Sequence, residues 1–240
     1  MTNRLPFRFF ITHPKVIVLE WDGEPDDTML QQLIEFKKRI IKEFDEVIQI
    51  TQGYLSLMLF HKINVHYIED YKNKLYFLYN LKSRPTFKKA KVWQIPVCYE
   101  ETYAPDLKSL ASKLNLNTTA LIKKHVSARY QVYFIGFLPG FLYLNGLAKE
   151  LEYSRKEQPL TNVPQGSVAI GGKQTGIYPM DSPGGWHIIG KTPYPFFEPK
   201  NKKPCFAQIG DSIQFISISK SEFLQLEMQR LEGTLKISHL

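Results

Sequence analysis

Along residues 7–81 the apolar positions change period three times. The runs "FRFFI" (7–11) and "VIVLEW" (16–21) are rich in β-branched and aromatic residues and are separated by the turn-like "THPK", which predicts two strands. The next stretch, "EPDDTMLQQLIEFKKRIIKEF" (24–44), moves to a helical spacing. Leu30, Leu33, Ile34, Ile40, Ile41 and Phe44 fall largely on one face, acids stand at the front and lysines toward the end. "EVIQITQGYLSLMLFH" (46–61) reads as two strands broken near Gln52 and Gly53, and "YIEDYKNKLYFLYNL" (67–81) as a second helix. The order β-β-α-β-β-α predicts a small α+β N-terminal domain, residues 1–84, with helices on one face of an antiparallel sheet.

The polar, basic "KSRPTFKKAK" (82–91) predicts a linker. After it comes a strand, "VWQIPVCY", then two short helices in "APDLKSLASKLN" and "NTTALIKKHVS", with Pro105 and Asn117 or Thr118 near their starts. From Tyr130 the pattern shortens. "YQVYFIGFL", "SVAIGG", "WHIIG", "CFAQIG" and "SIQFISIS" are β-rich pieces set between Gly/Pro turns, which predicts a compact barrel or sandwich. A terminal helix over 219–234 is expected to end at Gly233. Residues 85–240 are thus read as a second, mainly β domain with short helices and a C-terminal helix.

Composition adds exclusions. The 240 residues are 43% hydrophobic and 22% charged, an ordinary globular balance. No apolar run reaches membrane-spanning length, and the first residues lack a signal-peptide core with a cleavage site. Cys98 and Cys205 alone imply no disulfide framework, so a cytoplasmic protein is expected. The net charge of +8 comes from scattered lysines with acids between most of them, a solvated surface rather than a nucleic-acid face.

Several chemistries fail on spacing. In "GSVAIGGKQTG" a phosphate loop ending at Lys173 would need glycine at Ser167 and Ser or Thr at Gln174, with a helix after it. The six histidines show no metal-ligand spacing, so no metal is expected. No G-x-S-x-G elbow surrounds Ser167, and Ser182 is either a hydrogen-bond donor or only a turn former. His125 ends a helix before the glycine-rich strand, where an imidazole acts as acid or base or is a satisfied core group.

Two segments carry unusual backbone. In "YFIGFLPGFLYLNGL" (133–147), Gly136, Gly140 and Gly146 interrupt an aromatic run that includes Tyr143, and Pro139 makes a rigid corner. In "QTGIYPMDSPGGWHIIG" (174–190), Ser182, Pro183, Gly184 and Gly185 are expected to be unable to sit mid-strand. Trp186 offers a flat apolar wall, and Gln174, Thr175 and Tyr178 offer donors and acceptors. These segments are either tight corners or bare amides facing each other across a hollow, able to hold an oxyanion.

At these residues the sequence resembles the allophanate hydrolase subunit 1 family, also called the KipI or 5-oxoprolinase B-subunit family. The resemblance is dense over about residues 92–218 and follows only the order of elements before that. Gly136, Phe137, Pro139, Gly140 and Phe141 match its GF-x-PGF. Gln174, Thr175, Gly176, Tyr178 and Pro179 match QTGIYP, and residues 182–186 match SPGGW. Arg155 matches the first arginine of a PR-x-x-x-PR stretch, whereas Leu160 replaces the second; "CYEETYAPDL" lacks the usual paired glycines.

The resemblance implies an α+β domain followed by a cyclophilin-like barrel. It also implies a subunit 2-type partner (the 5-oxoprolinase C subunit) and a third, larger subunit. Together these would open the lactam of 5-oxoproline to glutamate with ATP, which a partner would bind. Under that reading, amides around Gly140, Gly184 and Gly185 hold an oxyanion or phosphate and His125 shuttles the proton. Arg155 or Lys173 takes the carboxylate, and Gln174 and Ser182 complete the catalytic candidates. Relatives of the family suggest two alternatives: an inhibitor of a sensor histidine kinase, or a urea carboxylase-related subunit.

Overall fold

The computed structural model describes residues 5–81 and 90–238, so the expected linker falls mostly outside the described residues. The chain divides into two compact units, Met1–Lys88 and Lys89–Leu240.

In the first unit, strands β1 (Arg8–His13), β2 (Val16–Glu20), β3 (Val47–Gln52) and β4 (Ser56–His61) form an antiparallel sheet in the order β1-β2-β4-β3. Helix α1 (Asp27–Glu43) follows β2, and α2 (Ile68–Asn80) follows β4. Strand pleat sorts the side chains: Ile17, Leu19, Leu57 and Leu59 are fully buried, while their neighbour Met58 is 37% exposed. Both helices turn their apolar stripes onto this face, α1 through Leu33, Phe36 and Ile40 and α2 through Tyr71, Leu75 and Leu78. Asp26 starts α1 by accepting from the Met29 N–H at 2.7 Å. The α1 stripe differs from the expected one at two places. Phe36 enters the core, packed edge-on to Trp21 at 6.0 Å, whereas Ile41 is 54% exposed. One step of 100° past Ile40 carries Ile41 off the buried arc.

The second unit is a closed seven-stranded barrel. Its strands are β5 (Val92–Cys98), β6 (Tyr130–Ile135), β7 (Leu142–Asn145), β9 (Ser167–Gly171), β10 (Gln174–Ile177), β12 (His187–Lys191) and β13 (Ser212–Ile218), in the order β10-β7-β6-β13-β5-β12-β9. The β5–β13 pair is parallel; the other pairs are antiparallel. Helices α3 (Leu107–Lys113) and α4 (Thr118–Ser127) connect β5 to β6, and α5 (Lys220–Leu231) follows β13 with a Ser219–Glu222 capping box. Gly233, at φ +73°, ends that helix.

Two expectations are corrected. Residues 205–210 form no strand: Gly210 turns at φ +91°, and the Asp211 carboxylate takes the N–H groups of Gln208 and Lys91 and the Trp93 indole N–H. Ser182–Gly184 does form a short strand, β11, paired with β8 (Leu160–Val163) outside the barrel. The register shifts between Ser182 and Gly184, so Pro183 stands at the irregularity, where proline is tolerated in a ladder. Among the described residues no helix is long and apolar enough to cross a membrane.

The α1 correction is testable by urea denaturation. Ile40→Ala should destabilise the first unit by about 2–5 kcal/mol, and Ile41→Ala should stay within about 0.5 kcal/mol of the parent.

Candidate functional site

Pleat alternation on the barrel wall builds this site. Leu142, Leu144, Val168, Ile170, Ile177 and Ile189 point inward to the barrel core. Phe141, Ala169, Tyr178, Trp186 and Ile188 point outward and, with Val163 of β8, form a separate buried cluster. Phe141 is its hub, edge-on to Tyr178 at 5.2 Å and to Trp186 at 5.6 Å, with Tyr143 at 4.8 Å. The two glycine-rich segments therefore meet, and they meet through rings.

The glycines make room for those rings. A methyl group at Gly171 would overlap the Trp186 indole, and one at Gly176 would lie 2.9 Å from the same ring. A methyl at Gly184 would overlap the ring and hydroxyl of Tyr178, which accepts the Trp186 N–H. Burial raises the Tyr178 phenol, and that N–H opposes the rise. Leu138, Pro139, Gly140 and Phe141 make a type II turn, with Gly140 at φ +82° and the Phe141 N–H donating to the Leu138 carbonyl at 3.0 Å. The Gly136 N–H donates to the Phe141 carbonyl at 3.2 Å. The amides of Gly136, Phe141 and Trp186 thus have internal acceptors. Gly185 differs: a methyl there would find no atom nearer than 3.6 Å.

Segment 153–156 runs beside this cluster. Tyr153 exchanges both backbone hydrogen bonds with Gly172 (3.1 and 2.7 Å), and the Lys156 N–H donates to the Gly185 carbonyl at 2.7 Å. The Ser154 carbonyl accepts from His187 Nε2 at 3.0 Å. These ties leave Arg155 exposed, its guanidinium carbon 5.6 Å from the centre of the Trp186 ring. Among the described residues no carboxylate pairs with Arg155. Nearby, Phe137 is 65% exposed at φ 67°, a left-handed conformation that costs a non-glycine residue of order 1 kcal/mol or more. Phe134 stacks on Tyr143 at 4.0 Å.

Of the other candidates, Lys173 is exposed in the β9–β10 hairpin turn, and Gln174 opens β10 half-buried. Pro139 and Pro183 are exposed, and Ser182 Oγ donates to the Pro183 carbonyl at 3.2 Å. His125 and Thr175 lie on the other side of the wall. His125 is fully buried and stacked on Phe215 at 4.6 Å. Thr175 Oγ1 donates to the Ala169 carbonyl, so His125 Nε2–H must donate to Thr175 (3.0 Å) and Nδ1 must accept from Tyr99 (2.8 Å). Burial lowers His125 to about 3, so the ring is neutral near pH 7 and has no open nitrogen. A shuttle needs a nitrogen that reaches a ligand, and this ring offers none. Asp106, Lys156, His187 and Phe134 border the site without having been singled out in the sequence. Asp106 carried a signal, an acid opening a helix, which reads as a cap.

Residues 8–207 match the family described as carboxyltransferase domain, subdomain C and D. The chain is 35% identical over 188 residues to the 5-oxoprolinase B subunit of Haemophilus influenzae, covering 78% of this chain and 86% of that one. Over 133 residues it is 41% identical to the 5-oxoprolinase B subunit of Bacillus subtilis, spanning about half of each protein (55%). The urea amidolyase of K. lactis shares the fold over 98% of this chain and 16% of its own, with a TM-score of 0.80 at 17% identity.

Two outcomes follow from this geometry. Gly184→Ala should lower the melting temperature by several degrees, because the ring of Tyr178 must move, whereas Gly185→Ala should leave it nearly unchanged; thermal unfolding by circular dichroism decides. His125 should make stability pH-dependent. Its value is about 6.5 when unfolded and about 3 when folded, so the unfolded chain binds more protons between those limits. The contribution is complete above 6.5 and falls by up to about 1.4 kcal/mol per unit below it. His125→Gln, compared with the parent by urea denaturation at several pH values, should remove that slope.

Proposed function

This chain belongs to the carboxyltransferase domain (subdomain C and D) family, which takes in the 5-oxoprolinase B subunits it resembles, and from that premise we propose that it is the B subunit of an ATP-dependent 5-oxoprolinase. In that assembly, with a C-type partner and a third subunit, the lactam of 5-oxo-L-proline is opened to L-glutamate. The observation that carries this reading is Arg155, without a carboxylate partner among the described residues and held over Trp186, whose ring meets half-buried Tyr143. The substrate is a flat ring bearing a carboxylate. Its ring face suits the aromatic wall and its carboxylate suits the guanidinium, a charge-assisted pair.

The lactam resists water because its nitrogen is a poor leaving group, and ATP activates the ring oxygen as a phosphate ester. Residues 166–176 do not fit a Walker-type cradle: they form a strand hairpin, with Gln174 where a magnesium-binding hydroxyl would stand. The nucleotide is therefore assigned to a partner subunit. This chain binds the carboxylate through Arg155, with Lys173 as a second cation at the hairpin turn. It orients the ring against half-buried Tyr143, above the buried floor of Trp186 and Phe141, and excludes water with exposed Phe137. Gln174 is a further donor toward the ring oxygen. Proton transfer is left to a partner's group, because His125 is sealed in the barrel core.

The reading extends to a cytoplasmic location and to an α+β domain followed by a cyclophilin-like barrel, the boundary falling near residue 84. It includes no resident metal.

Reconstitution tests it. The purified chain alone should show no ATP-dependent turnover of 5-oxoproline, and adding both partner subunits should produce it. In that assembly Arg155→Gln should raise KM at least about tenfold with little change in kcat, the signature of lost ground-state binding. Turnover by the chain alone, or an unchanged KM in Arg155→Gln, would contradict the proposal.

A further inference from the structure

Asp106 stands at the start of α3, where an acid ordinarily caps its own helix. It makes no side-chain cap there. Its carboxylate instead points across to the strand that follows Trp186. Oδ2 accepts the Ile188 N–H at 2.7 Å, while the Asp106 N–H donates to the Ile188 carbonyl at 3.0 Å. Lys156 Nζ lies 2.8 Å from both carboxylate oxygens, with each side chain only 18% exposed. Lys156 also donates its backbone N–H to Gly185. One carboxylate thus joins three parts of the chain: the head of α3, strand β12 just past Trp186, and the segment that carries Arg155.

We propose that Asp106 and Lys156 are a positioning pair that fixes Arg155 over Trp186 and so sets affinity for the carboxylate of the substrate. The physical reason is the exposure of Arg155. A long side chain on an irregular surface segment has many rotamers, and a ring contact with an exposed cation does not select one on its own. The position of its Cα must be supplied by the backbone, and segment 153–156 has no strand ladder to supply it. Tyr153 is tied to Gly172 on one side of Arg155, and Lys156 is tied on the other by its N–H to Gly185 and by its ammonium to Asp106. A half-buried, bidentate ion pair is far less screened than a surface one, so it holds the segment where the surface pairs of this protein would not. The same carboxylate holds β12 two residues beyond Trp186. The cation and the ring beneath it are therefore referred to a single point.

The kinetic part of this proposal rests on the 5-oxoproline reading; the structural part does not. Asp106→Asn keeps an oxygen for the Ile188 N–H and removes only the charge, and Lys156→Met leaves the Ile188 bonds untouched, so both variants should fold. The first readout needs no substrate: cleavage of the isolated chain after exposed Glu157 by a glutamate-specific protease. Both variants should be cut about tenfold faster than the parent, the loss expected for one partner of a poorly solvated pair, and Lys156→Arg should restore protection. The second readout is kinetic, in the full assembly. Asp106→Asn should raise KM for 5-oxoproline with kcat little changed, and adding it to Arg155→Gln should raise KM no further. Unchanged proteolysis in both variants, or KM effects that multiply in the double variant, overturns the proposal. If the parent assembly leaves 5-oxoproline intact, the functional reading fails, and the proteolysis alone decides whether the pair holds the segment.

Discussion

Trp186 rests against two strand positions that carry no side chain, Gly171 and Gly176, and the arrangement of the outer barrel face follows from that contact. In a closed barrel every second residue of a strand points outward, and an outward side chain at either position would hold the indole off the wall. With both bare, the ring reaches the sheet and meets Phe141 and Tyr143 edge-on, and its backbone N–H reaches the hydroxyl of Tyr178. Burying rings of this size contributes about 2–3 kcal/mol each by area, and their edge-to-face contacts add about 0.5–1.5 kcal/mol per pair. The cluster is thus stable enough to act as a floor. Arg155 is the cation set on that floor, with no carboxylate paired to it among the described residues.

The barrel wall also separates two kinds of polar chemistry. On the inside, Thr175, His125 and Tyr99 satisfy one another, and burial drives the imidazole toward its neutral form and the Tyr99 phenol well above its ordinary value. Such a chain of neutral groups specifies how α4 seats against β10 and β13; it has nothing to offer a ligand. Only a strand thickness away, the exposed guanidinium of Arg155 has rings below it and solvent above. The same glycine-rich motif contributes to both sides, Thr175 inward and Gly176 outward, because neighbouring strand residues face opposite ways.

Local features of the fold were legible in the sequence wherever one short-range rule dominated. Asp26, among the acids at the front of α1, and Asn117 start helices as their side chains require, and Gly233 ends α5. The corner at Pro139 and Gly140 was readable because a type II turn needs just that pair. Features set by distant partners were not. Ser182–Gly184 forms a ladder because β8 lies alongside, which overrides the turn preference of its residues. Residues 205–210 have strand composition, yet Asp211 takes the Gln208 N–H and Gly210 turns the chain at φ +91°. That β5 and β13 pair in parallel from opposite ends of the second unit is a property of closure, with no local trace.

The candidate site shows the same division. Both glycine segments were recognisable as places of close approach, but what approaches is set by tertiary packing: the Phe196 carbonyl at Gly140, and the rings of Trp186 and Tyr178 at Gly176 and Gly184. His125 was legible as a histidine near the site, and only the side of the wall distinguishes it from a usable base. The most direct test of the central contact is fluorine NMR of the protein labelled with fluorotryptophan, whose three tryptophans give separable signals. Placing alanine at Gly171 should move the Trp186 resonance and leave those of Trp21 and Trp93 in place. A Trp186 resonance unmoved by that methyl group would mean that the indole does not rest on the bare strand, and the floor beneath Arg155 would not exist.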